Sequence, residues 1–306
     1  MHEIVLTGLK ADVPIGAMAA FGLLRVCDTG AELGGVRLHW RRQGANYCAV
    51  LSTEVEIGGD GLLSVLVNHM RGAGTRRELT WAKAIDKTLF TERAKAALAT
   101  ATAWDHQEAD WFAAFTTDLS ERETTPFDTT AGNQGFLSMA LELAHSLGPG
   151  EGNENKDACL AAFREAMFGP WTYQDSEHSF GWDPWTVRLG AFTGEAPERI
   201  KTKRSVRAAV WLAFESLPLF PCFCPVSGSK RLRTRAYARR NRHFSWPVWD
   251  HPLSLATLRS LLSLSQITED PPEMRELRTR GVRAVFRSER VTRTRYGNFQ
   301  PAVLCG

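Results

Sequence analysis

Four places in this 306-residue sequence gather residue types that could do chemistry. Cys222 and Cys224 flank Phe223. Thiols can hold zinc, but no second pair follows at ribbon spacing, and Cys222 beside Phe220 reads as a buried thiol. Asp105, His106, Glu108 and Asp110 offer a run of metal donors. Carboxylates at a helix start are also what the helix dipole favours, and that is the plainer account. Asp175, Glu177, His178 and Asp183 fall in an irregular aromatic tract and invite an acid/base reading. An Asp183–Arg188 structural pair beneath aromatic cover is preferred, since Asp-Pro starts turns. Asp250 and His251, with Asn241 and His243 nearby, are nuclease residue types at no recognisable metal-finger spacing. Phosphate loop, Gly-x-Ser-x-Gly elbow and His-Glu-x-x-His are all missing from the sequence.

The strongest signal is basic. Between Lys230 and Arg242 stand seven Lys/Arg and no carboxylate. Arg231, Arg233 and Arg235 alternate with Leu232, Thr234 and Ala236, so a strand would set the three guanidinium groups on one face. Arg239, Arg240, Asn241 and Arg242 continue the polar ribbon through a loop. Arg287, Arg293 and Arg295 would add to it from a C-terminal strand with a basic face. Arginine forks suit phosphate oxygens and guanine edges. Tyr237, Phe244 and Trp246 could stack on bases, although the Trp and Pro residues around the tract read as scaffold. Arg41 and Arg42, at a hairpin tip, could also touch a phosphate.

The charge is local. Residues 196–306 hold 21 Lys+Arg against 8 Asp+Glu, which is +13, and residues 1–195 hold 16 against 26, which is −10. Such asymmetry points to a polyanion partner for the C-terminal half. No apolar run is long enough for a bilayer span, and the N-terminus lacks a signal-peptide pattern. Six irregularly spaced cysteines do not resemble a disulfide framework. The expectation is a cytoplasmic protein with reduced thiols, no membrane partner and no cofactor.

The elements that must position the arginines are legible as patterns. Residues 3–9 read as a strand and 15–25 as a helix, with Asp12 as N-cap and Pro14 in its first turn. The small residues of that helix would let it sit close against a sheet. Residues 36–40 and 47–51 read as a hairpin. Helices follow near 61–70, within 81–118, at 136–145 and at 157–168, with a flexible loop at 148–155. Residues 208–217 read as a buried helix stopped by Pro218 and Pro221. A helix at 273–280 ends at Gly281, and a strand follows over 282–293. The fold class expected is α+β, helices packed on small mixed or antiparallel sheets with long irregular loops. An acidic half (residues 1–150) would precede a basic nucleic-acid-binding half (151–306), or the two would form one continuous domain.

Several stretches resemble subunits of atypical type I CRISPR effector complexes, in the group with a reduced or divergent large subunit. They are Pro14-Ile15-Gly16-Ala17-Met18-Ala19-Ala20-Phe21-Gly22-Leu23-Leu24-Arg25, Leu38-His39-Trp40, Gly132-Asn133-Gln134-Gly135-Phe136-Leu137 and Trp182-Asp183-Pro184. Leu212-Ala213-Phe214-Glu215-Ser216-Leu217-Pro218-Leu219-Phe220-Pro221 and Phe244-Ser245-Trp246-Pro247-Val248-Trp249 complete the set. The resemblance spreads over most of the chain and carries no residue-level assignment. It implies a non-catalytic subunit of an RNA-guided antiviral surveillance complex. Such a subunit contacts guide RNA, neighbouring subunits and target DNA near its short flanking motif (PAM recognition in a Cascade-like ribonucleoprotein). The chain is short for a full large subunit, which leaves a smaller accessory subunit open. The competing readings are a metal-dependent nuclease acting on DNA or RNA, and a structural adaptor that binds an acidic protein.

Overall fold

The structure, a computed structural model, describes residues 1–29, 33–81, 84–102, 105–119, 124–129, 135–185, 205–225, 232–238, 242–293 and 296–306. Its N-terminal sheet is antiparallel, in the order β1-β3-β2: β1 is His2–Lys10, β2 Arg37–Gln43 and β3 Asn46–Thr53. Gly44, at φ +61°, opens the two-residue turn that joins β2 to β3, where a side chain would be strained. Helix α1 (Pro14–Asp28) follows β1 and is buried from Pro14 to Cys27. A helix that is apolar but for Arg25 until its last residue, Asp28, cannot lie on a surface, so it must be covered on every side. The N-cap position belongs to Val13, with no side-chain cap, so Asp12 does not cap the helix; Pro14 stands at its start as expected.

The cover for α1 comes largely from the other half of the chain. Helix α7 (Arg207–Glu215), itself entirely buried from Ala208 onward, lies against it. Gly22 makes the crossing possible, because a Cβ there would stand 1.7 Å from the carbonyl oxygen of Leu212. The small residues of α1 were expected to meet a sheet. Gly16 does meet the end of β1, at the Lys10 carbonyl, but Gly22 meets a helix.

Between them lie α2 (Gly58–Met70), α3 (Lys87–Thr100), α4 (Gln107–Phe115), α5 (Phe136–Leu147) and α6 (Lys156–Phe168). After α7 come β4 (Cys222–Phe223), β5 (Arg233–Thr234), β6 (Tyr237–Ala238), β7 (His243–Trp249), α8 (Leu255–Leu262) and α9 (Met274–Thr279). The chain closes with β8 (Val282–Arg293), β9 (Tyr296–Phe299) and β10 (Val303–Leu304). The second sheet runs β10-β8-β7-β6, with β9 also paired to β8, and β4 pairs with β5 apart from it. All described pairings of named strands are antiparallel. The fold is α+β.

The two sheets are tied by tryptophans. Trp246 Nε1 donates to the Ala11 carbonyl at 2.7 Å, and Trp249 Nε1 to the Leu38 carbonyl at 2.8 Å. Leu38 and Leu253 exchange both backbone hydrogen bonds at 2.9 Å. Trp249 stacks on Phe21 and meets Trp40 edge to face. One hydrophobic cluster accordingly draws on residues from both sides of residue 150. Each large side chain so buried contributes about 1.5–3 kcal/mol. Among the described residues no helix is long and apolar enough to cross a membrane. The six cysteines are free thiols.

Candidate nucleic-acid interface

Two short pairings hold the described part of the arginine tract. β5 pairs back to β4, Phe223 opposite Arg233 and Cys222 opposite Thr234. Four residues later β6 pairs with β7, Tyr237 opposite Phe244. The chain is thereby stretched between two sheets across the turn Arg235-Ala236. Leu232, Thr234, Ala236 and Tyr237 are buried, Arg233 is half-buried and Arg235 is exposed. The period-two alternation places both arginines outward, although the strand itself is only two residues long. Among the described residues neither guanidinium has an ion-pair partner. Their charge is available to a ligand.

The other arginines divide. Arg242 is exposed, with its Nη2 2.5 Å from Glu289 Oε1, a surface pair worth at most about 1 kcal/mol. Arg287 is a correction. It is only 5% exposed, and its guanidinium donates to Ser245 Oγ at 2.9 Å, Asp270 Oδ1 at 3.0 Å and the Glu269 carbonyl at 2.5 Å. Its register opposite Ser245, in a strand flanked by β7 and β10, turns it inward. At Arg287 the expected basic face of β8 is therefore spent inside the protein, whereas Arg283 stays exposed. Arg290 donates to the carbonyls of Pro126 and Asp128, and Arg283 Nε lies 2.6 Å from Asp250 Oδ2. Arg293 ends β8 opposite Tyr296; its side chain lies outside the described residues, as do Lys230, Arg231, Arg239, Arg240, Asn241 and Arg295.

Tyr237, Phe244 and Trp246 are buried and face one another, with Phe244 and Trp246 stacked at 4.8 Å. They form the hairpin's footing and cannot reach a base. Phe223 is different. It is 41% exposed, and its place opposite Arg233 sets both side chains on one face of the β4–β5 pair. The sequence placed it in an apolar run, and nothing in that run marked it as the outward member.

The remaining candidate chemistry resolves into structural contacts. The Cys222 thiol lies 3.0 Å from the Ala114 carbonyl, and burial pushes it far up from its ordinary pKa. Cys224 Sγ is 3.2 Å from Thr117 Oγ1. Asp110 is gripped by both terminal nitrogens of Arg259 and by His106 Nδ1 at 2.9 Å. Asp175 takes hydrogen bonds from the Glu177 amide and the His178 ring, at 2.9 and 3.0 Å. These outweigh the effect of burial and hold its carboxyl below the usual value. Asp183 is buried, which raises it to about 6, and accepts from the Trp185 amide at 2.9 Å. Its expected partner Arg188 lies outside the described residues. His251 Nε2 stands 3.5 Å from Asp250, whose carboxylate Arg283 already engages. Among the described residues no group of three or more His, Cys, Asp or Glu could hold a metal ion.

No protein-family model matches the chain, and no curated protein does.

A buried charge cluster joins α1, α2 and α7. Glu215, the last residue of α7, is fully buried; Arg25 of α1 donates to it at 2.6 Å, and His69 Nε2 lies 3.1 Å away. Arg76 completes the cage and bonds Glu78 at 2.6 Å. Arg25 and Arg76 both lie over the Trp111 ring, at 4.9 and 4.7 Å. Burial alone would raise the Glu215 carboxyl, but Arg76, His69 and Arg25 hold it well below the ordinary range. The signal was present in the sequence. A single acid ends one apolar helix and a single base sits within another, and neither can be buried without the other.

Proposed function

We propose that this chain is a non-catalytic, nucleic-acid-binding subunit of an RNA-guided type I CRISPR effector complex. Its β5–β6 segment around Arg233 and Arg235 meets the phosphate backbone of guide RNA or target DNA. The observation that carries the binding reading is a pair of outward guanidinium groups, on β5 and on the turn after it, with no ion-pair partner among the described residues. The +13 balance of residues 196–306 supports it. A rigid anchor lowers the entropy lost when the arginines are ordered on a phosphate. The assignment to an effector complex rests on the sequence resemblance.

The test of that assignment is what travels with the protein. Purified under mild salt from cells that carry its neighbouring genes, the tagged chain should bring down further subunits and a discrete short RNA. Recovery of the chain alone, or with nucleic acid of no defined length, would contradict it. An acidic protein partner unaffected by added DNA would favour the adaptor reading instead.

A further inference from the structure

We infer that the cleft between the β4–β5 pair, α4 and α8 receives a single unpaired nucleobase, while Arg233 and Arg235 hold the phosphates beside it. This rests on the nucleic-acid-binding reading above and goes beyond it by naming the form of the ligand.

The cleft measures about 370 Å³, near the lower end of the roughly 300–1,000 Å³ that small-molecule sites occupy. Its walls are largely apolar, supplied by Phe220, Pro221 and Phe223 on one side and by Leu262 of α8 on the other. Arg235 stands on its lining, and so does the Asp110–Arg259 pair. A guanidinium carries five N–H donors, and Asp110 engages Arg259 through its two terminal nitrogens. Arg259 therefore retains donors for the edge of a planar ligand. An apolar slot with a polar end and free positive charge at its mouth matches the division of a nucleotide into base and phosphate.

Charge decides between occupants. An apolar peptide would fill the slot but would leave Arg233 and Arg235 unused, and an acidic peptide would place its carboxylates against Asp110. Among the described residues Phe223 and Trp185 are the exposed large aromatic side chains, and Phe223 lines the slot beside Arg233. Bases of a duplex are stacked and cannot enter, so the ligand is single-stranded or locally unpaired.

The test uses the full chain and two fluorescent oligonucleotides of equal length, one single-stranded and one duplex, titrated at fixed salt. Phe223→Ala changes an exposed residue and should leave folding intact. It should weaken single-strand binding about ten-fold, within the range found for loss of a stacking aromatic, and leave duplex binding and the salt slope unchanged. Ser263→Trp, which fills the slot from its exposed rim, should act in the same way. The double variant Arg233→Ala/Arg235→Ala should weaken both ligands. Single-strand affinity unchanged in Phe223→Ala and Ser263→Trp would overturn the slot and leave the binding reading standing. Equal losses on both ligands would overturn it too. A wild-type chain that binds neither ligand would overturn both.

Discussion

Two arginines show how the same residue type takes opposite roles. Arg235 is exposed on a turn with no partner among the described residues, whereas Arg287 is enclosed by Ser245, Asp270 and the Glu269 carbonyl. Arg287→Ala would leave those acceptors unsatisfied, at a cost of about 1–3 kcal/mol. The expected outcome is a lower urea midpoint with an unchanged salt dependence of nucleic-acid binding; a changed slope with unchanged stability would show that Arg287 contacts phosphate after all. Glu215 makes a second case. Glu215→Gln leaves Arg25 buried without its counter-charge, and removing one member of such a pair costs about 3–5 kcal/mol. A carboxyl held low in the folded state adds stability above its unfolded pKa, near 4.3. That stability is lost as pH falls toward the folded value. The gap between wild type and variant in urea unfolding should therefore be full at pH 7 and narrow below about pH 4. A gap that widens on acidification would contradict the charge account.

Among the elements, α1 and α7 carry the most weight. Both were legible as helices because their apolar runs are long and bounded by proline. What covers them was only partly legible, since Arg25 and Glu215 each demand a counter-charge without naming the helix that supplies it. Gly22 supplies the discriminating fact, with the Leu212 carbonyl 1.7 Å from its would-be Cβ. Gly22→Ala should cost about 1–3 kcal/mol or more by forcing the helices apart, seen as a lower thermal midpoint. No loss of stability would mean the crossing is looser than described. β1, β2, β3 and β8 were read at nearly their observed places, but β7 was not, since it is buried along almost its whole length and shows no period-two alternation. In β8 the alternation misled. Neighbouring strands and helices cover much of both faces, and a basic residue in such a strand points wherever a carboxylate waits. Asp270 was the waiting partner, seventeen residues away and outside any local pattern. The arginine segment was legible in its alternation but not in its anchoring, because β4 and β5 are two residues long and exist only through their pairing.

For the whole molecule, the charge division along the sequence does not become a division into separate cores. α1 lies on α7, Trp246 and Trp249 bond into the N-terminal half, and one cluster spans both. Positive charge is thus presented by an element whose foundation belongs to the entire chain. Some C-terminal arginines serve that foundation, Arg259, Arg287 and Arg290 among them. If the chain binds nucleic acid as proposed, net charge alone overstates the phosphate contact, and the number of ions released on binding should be small. The direct measurement is the slope of log affinity against log salt for a DNA duplex. With two phosphate contacts at Arg233 and Arg235, the variant Arg233→Ala/Arg235→Ala should lower that slope by up to about 1.8 while its unfolding curve matches the wild type. A correctly folded double variant with the wild-type affinity and the wild-type slope would contradict the account.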